Sequence, residues 1–152
     1  MKEEVALEKE KLTPKDEEIF DILIVGAGPA GLSAALCAGR ARLKVLIVDK
    51  ALPGGQAATA YKIYNYLGFP NGILGSDLSS QMEEHLKDYD IHWTTETVED
   101  IINVHANEKT VLTDIGHRYK VKSIILATGL EPKELGASFE KQFIGRGISY
   151  FA

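Results

Sequence analysis

Residues 22–31 read ILIVGAGPAG, four branched apolar residues running straight into glycines at positions 26, 28 and 31. A short apolar run that stops at glycine reads as a buried strand. The next stretch, PAGLSAALCAGRA (29–41), is rich in Ala and Leu and carries Pro at its start, the signature of a helix. After it comes LKVLIVDK (43–50), a second buried strand. Strand, glycine turn, helix and strand make one βαβ unit, whose two apolar strands are expected to be parallel and covered on both faces. In such a unit Gly26 permits the tight turn, Gly28 lets a diphosphate approach the backbone, and Gly31 lets the helix lie close to the strand. The helix N-terminus offers unpaired amides and partial positive charge to that diphosphate. Asp49 ends the second strand, where the motif requires an acid for the adenosine ribose hydroxyls. An acid there, rather than Arg or Lys, favours a free ribose, as in FAD or NAD, over NADP.

The remaining chain is organised around this unit. Residues 1–18 are dominated by Lys and Glu, and TPKDEE suggests a helix start with Thr13 as cap, Pro14 in the first turn, and Asp16 and Glu17 at the positive end of the dipole. This stretch is expected to be a solvated helical extension. Residues 51–75 are irregular and rich in Gly and Tyr, and a loop of that length is more often functional than decorative. SDLSSQMEEHLKDYD (76–90) has Leu78, Met82 and Leu86 at helical spacing, with Ser76 as the expected cap. Residues 91–129 alternate like strands with turns at NEK and DIG. They predict a three-stranded antiparallel meander leading into KSIILATG, a further strand of the parallel sheet. The expected fold is therefore α/β: a Rossmann-like dinucleotide-binding domain, a parallel sheet with an antiparallel β-meander insertion.

Bulk properties exclude several alternatives. The chain has 152 residues, 45% hydrophobic and 26% charged, enough for one domain with a real core. A net charge of −5 without a basic cluster argues against a nucleic-acid surface. No apolar run approaches the roughly 18 residues that span a bilayer, and the N-terminus lacks the apolar centre of a secretory signal. No membrane association and a cytoplasmic location are the resulting expectations. The single cysteine, Cys37, cannot form an internal disulfide or a C-x-x-C pair, and among small apolar neighbours it reads as a buried structural residue. His85, His92, His105 and His117 are scattered, so no metal site is expected.

IVGAGPAGLSAAL, VDKALPGGQ, NYLGFPNGILGSDL, IILATG and FIGRGISY, in this order, resemble the low-molecular-weight thioredoxin reductases and related flavoproteins with two dinucleotide domains. The resemblance runs from Asp21 to the C-terminus and implies the first part of an FAD-binding domain. It places Gly26, Gly28, Pro29, Ala30 and Gly31 at the diphosphate, and Asp49 and Lys50 at the adenosine ribose. Gly55, Gln56 and Asn65 fall near the ribityl chain and flavin ring, with Gly54 beside Gly55 allowing close backbone approach. Thr128 and Gly129 form the turn that closes over the cofactor, and the backbone around Glu96 faces adenine. The side-chain amides of Gln56 and Asn65 both donate and accept, which suits the flavin edge. Tyr61, Tyr64 and Tyr66 either line the flavin or pack on the core.

The resemblance also has gaps. Phe151 stands where such reductases carry the first cysteine of their redox pair, and thiolate attack needs a thiol. A Tyr-Phe at this point is similar to ferredoxin- or flavodoxin-dependent NADP reductases. No second G-x-G-x-x-G is present. Residues 19–130 are thus expected to be the N-terminal part of the FAD domain, and 131–152 a linker toward a nicotinamide-binding domain. In the complete protein, electrons would pass between NAD(P)H and a disulfide, a thioredoxin-like or a ferredoxin-like acceptor through FAD. An uncovered sheet edge would predict a homodimer, a complementing chain or poor stability alone. No residue of this piece is expected to be a catalytic acid, base or nucleophile. A non-catalytic flavin-binding module that docks a partner through residues 1–18 is the competing reading.

Overall fold

The structure, a computed structural model, describes residues 18–131 and 133–150. The expected helix before residue 18, with its Thr13 cap, and the Phe151 position lie outside the described residues. Strand β1 (Ile19–Val25) leads through the glycine turn into helix α1 (Pro29–Arg40), which returns to β2 (Val45–Asp49). Two further helices, α2 (Gly55–Thr59) and α3 (Gly75–Glu84), precede β3 (Ile91–Thr95), β4 (Val98–Ile102), β5 (Lys109–Thr113) and β6 (Arg118–Leu126). A single turn of helix, α4 (Glu140–Phe143), comes last.

All six strands form one sheet in the order β3-β2-β1-β6-β5-β4. β1 pairs in parallel with β2 and with β6, and β2 pairs in parallel with β3. β4, β5 and β6 are antiparallel neighbours. The α/β fold with an antiparallel insertion is therefore present, with one correction. β3 does not belong to the meander: it extends the parallel sheet beside β2, with Val45 opposite Ile91 and Asp49 opposite Thr95. The meander consists of β4, β5 and the first part of β6. β6 is long enough to serve both parts, pairing Lys120 with Thr110 on one side and with Ile19 on the other.

Both faces of the parallel strands are covered, which explains why β1 and β2 read as unbroken apolar runs. On one face Ile24, Val45 and Ile47 pack against Leu32, Ala35 and Ala38 of α1 and against Leu86. On the other, Phe20, Leu23, Leu46 and Val48 meet Val111, Tyr119 and Val121 from the antiparallel part. Each large side chain removed from water this way contributes roughly 1.5–3 kcal/mol.

Local details depart from the expected ones in three places. The 51–75 stretch contains α2, which starts after Gly54 in a left-handed conformation (φ 102°) that glycine tolerates. Ser76 does not cap α3: the helix begins one residue earlier, with Leu74 at the cap position, and the Ser76 hydroxyl turns to Asp77. Gly75 can start the helix because it has no side chain to collide with the carbonyls of Ala57 and Ala60. α3 also ends at Glu84 and not at residue 90, and tight turns carry the chain on, with Leu86 N–H bonded to the Glu83 carbonyl. Leu78 and Leu86 are buried as their spacing suggested.

Candidate nucleotide-binding site

The glycine turn joins β1 to α1 under tight restraint. Gly26 has φ 105°, and a side chain there would collide with the Ala127 carbonyl beyond β6. A side chain on Gly31 would collide with the Gly26 carbonyl, so α1 lies directly on the turn. Gly28 differs from both. A Cβ there would have nothing within 4 Å, and its φ of −71° suits any residue. Packing explains Gly26 and Gly31, whereas Gly28 faces open space. Gly28 is also the cap residue of α1, and no side chain caps the helix. Pro29 occupies the first turn, where its missing N–H costs nothing, and the first turn holds no acidic residue. The amides of this turn, with Ala30 exposed beside them, are thus left for an external acceptor.

Asp49, at the end of β2, accepts the Ala27 amide at 2.5 Å and the Ala51 amide at 2.8 Å. Its carboxylate is therefore a brace for the glycine turn as well as a candidate ribose acceptor. The Ala27 carbonyl in turn accepts the Gly54 amide at 2.8 Å, which fastens the following loop to the same turn. Gly54 owes its lack of a side chain to the protein itself, because a Cβ would collide with Ser79 Oγ of α3. A Cβ on Gly55 would stand 3.1 Å from the Gly28 Cα, so this backbone approaches the turn closely.

A cavity of about 320 Å³ opens at the C-terminal ends of β1 and β2. Gly26 and Asp49 form one wall, Glu96 and Val98 another, and Thr128 and Gly129 a third. Lys50 and Glu131 also line it and form an ion pair with each other. That pair holds the Lys50 ammonium above the usual lysine range and the Glu131 carboxyl below the usual carboxylate range.

Glu96 is buried, and its amide is donated to the Asp49 carbonyl at 2.9 Å. The next amide, of Thr97, is donated to Asp114 Oδ1 at 3.0 Å. The Glu96 side chain lies within a polar cluster that the sequence did not announce. Its Oε1 accepts from the Tyr119 hydroxyl (2.7 Å), from Thr94 Oγ1 and from His117 Nδ1 (3.0 Å). A carboxylate only accepts, so His117 carries its proton on Nδ1. The Thr113 hydroxyl stands close enough to act on the carboxylate, though neither it nor Oε2 has a hydrogen bond of good geometry. Burial alone would push the Glu96 carboxyl up, but Thr113, Thr94, Tyr119 and His117 together outweigh it and hold the group below the usual range. Burial and the neighbouring Glu96 push the Tyr119 hydroxyl up. Tyr119 lies in β6 and His117 just before that strand, and the His117 ring nitrogen Nδ1 lies 3.2 Å from the Tyr119 hydroxyl.

The structure does not bring every expected residue to the cavity. Gln56 is exposed on α2, and its amide Nε2 donates to the Leu130 carbonyl. Asn65 is exposed in the loop between α2 and α3. Tyr61, Tyr64 and Tyr66 do not pack on the core: Lys62 lies over the Tyr64 ring and Tyr66 contacts Phe69. Cys37 is exposed, not buried, because α1 turns Leu32, Ala35 and Ala38 inward and presents Ser33, Cys37 and Arg40 to solvent. Among the described residues no group of His, Cys, Asp and Glu is placed to hold a metal ion. Nor is any described helix long and apolar enough to cross a membrane.

A βαβ unit with an open, uncapped glycine turn, an acid ending its second strand and an adjoining cavity defines a dinucleotide-binding α/β domain. The profile of the pyridine nucleotide-disulphide oxidoreductases matches residues 20–152, and the chain belongs to that family. The family uses FAD and NADPH. The chain is 39% identical over 137 residues to the thioredoxin reductase of Bacillus subtilis, covering 90% of this chain and 42% of that protein. Among solved structures, thioredoxin reductase from Lactococcus lactis superposes with a TM-score of 0.78 at 34% identity, over 86% of this chain and 42% of that one. The enzyme from Streptococcus pyogenes gives 0.75 at 38% identity, over 88% and 42%. The chain thus spans about two fifths of the length of these relatives.

Proposed function

We propose that this chain is the FAD-binding portion of a thioredoxin-reductase-like flavoprotein, which passes electrons between NAD(P)H and a disulfide or protein acceptor. The observation that carries this reading is Gly28, whose side opposite the protein is open at the uncapped start of α1. Two further features fit a dinucleotide there. The 320 Å³ cavity adjoins the turn at Gly26, and Gly129 has positive φ with space around it.

In this reading Gly28, Pro29, Ala30 and Gly31 bind the diphosphate through backbone and helix dipole. Asp49 keeps its free lone pairs for the ribose while bracing Ala27. Thr128 and Gly129 close the cavity on the side of β6. Glu96 holds the β3–β4 turn against β6, so that this wall keeps its shape. Bound FAD supplies hydride transfer with nicotinamide, and the protein supplies position and polarity. Residues 19–130 form this cofactor-binding portion, residues 131–152 connect toward a nicotinamide-binding domain, and residues 1–18 form a charged extension. Exposed Leu126, Leu130, Leu135, Phe143 and Ile144 support contact with a complementing domain or a second copy. The absorption spectrum of the purified protein, with the released cofactor identified by mass, tests the reading. FAD is expected, and a protein that takes up NAD but never FAD would contradict it.

A second reading is favoured by Phe151, which stands where such reductases carry the first cysteine of their redox pair. A ferredoxin- or flavodoxin-linked NADP reductase would need no such pair. Reduction of the loaded, complete protein by NADPH with each acceptor class separates the two.

A further inference from the structure

Two walls of the nucleotide cavity belong to segments far apart in sequence. Lys50 follows β2, and Glu131 lies beyond the end of β6. Both line the cavity, and their charged ends meet. A second tie joins the same segment to α2, where Gln56 Nε2 donates to the carbonyl of Leu130, the residue before Glu131. Thr128 and Gly129, at the start of that segment, line the cavity too. Residues 128–131 therefore form a strap along one side of the cavity, anchored by β6 at one end and by these two ties at the other. Beyond Leu126 no strand ladder holds the strap, apart from the Ala127 amide bonded to the Val25 carbonyl at 2.8 Å.

We propose that Lys50 and Glu131 form an ionic latch, with Gln56 as its second tie, that holds residues 128–131 across the cavity and sets the rate at which nucleotide leaves. The latch rests on the reading of the cavity as an FAD site. It makes Lys50 and Gln56 positioning residues that act through the strap. They need no direct contact with the ribose or the flavin edge. The charged ends are 64% and 77% exposed, so the latch is weak and sensitive to salt.

The test measures release of FAD from the loaded protein by recovery of flavin fluorescence after dilution, at low and at high salt. Wild type is compared with Lys50→Glu, Glu131→Lys and the doubly exchanged protein. Each single variant is expected to release FAD roughly two- to fivefold faster and to lose the acceleration that salt gives wild type. The double exchange is expected to restore both the rate and the salt response. Glu131→Lys decides the sign. If Lys50 simply attracted the diphosphate, removing its acidic partner would slow release, and that result overturns the latch. Wild-type release rates in the single variants, or a double variant without rescue, overturn it as well. Wild type that never takes up FAD contradicts the proposed function itself, and the latch falls with it. Loading followed by equal release rates in all four proteins overturns the latch alone.

Discussion

The Asp49 carboxylate accepts the Ala27 amide at 2.5 Å and so ties the end of β2 to the glycine turn that starts α1. The acid at the strand end is thus a structural brace before any ligand arrives. Asp49→Ala would leave the buried Ala27 N–H without a partner, at a cost of about 1–3 kcal/mol. Denaturant unfolding is the direct check. Asp49→Asn, which keeps one acceptor oxygen, is expected to lose less. Equal stability of all three proteins would show that the brace is not needed.

Gly31→Ala should damage the fold itself. Its Cβ would collide with the Gly26 carbonyl, so α1 must lift away from β1. Overpacking of this kind costs about 1–3 kcal/mol. A lowered thermal midpoint without added nucleotide is the expected outcome, and an unchanged midpoint would mean that the helix shifts freely.

Glu96 makes stability depend on pH. Its folded-state pKa lies below the ordinary value of 4.5, so its contribution is present above that value and is lost as pH falls through the lower, folded one. Glu96→Gln is expected to be less stable than wild type by about 1–3 kcal/mol near neutral pH, and the gap should close in acid. Paired denaturation curves across pH read this directly. A gap independent of pH would mean that Glu96 acts by shape and not by charge.

Cys37 is expected to react stoichiometrically with a thiol reagent in the native protein, because it lies on the exposed face of α1. Reaction only after denaturant is added would place it inside the fold.

Much of the fold was legible because its signals are local. Four apolar residues, three spaced glycines, an Ala-rich helix and an acid at a strand end lie within 22–49, and each dictates its own geometry. Strand pairing was harder. The alternation in IHWTT shows that β3 is a strand, but not that it joins β2 in parallel instead of entering the meander. The exposure of Cys37 was hidden because Ala and Gly surround it on every side of the helix, which blurs the inward face. Glu131, its Lys50 partner and the His117–Tyr119–Glu96 cluster depend on contacts between distant segments. Gln56 carried the right chemistry for a hydrogen bond, but its partner in the fold is the Leu130 carbonyl.

The most direct test of the central claim is FAD binding by wild type and by Gly28→Ser, measured as quenching of flavin fluorescence on titration. A side chain at Gly28 meets nothing within 4 Å, and serine is a good helix cap, so the variant should fold as stably as wild type. Its side chain would stand where the diphosphate approaches the turn, so FAD affinity should fall by about tenfold or more. A folded Gly28→Ser protein that binds FAD as tightly as wild type would contradict the account.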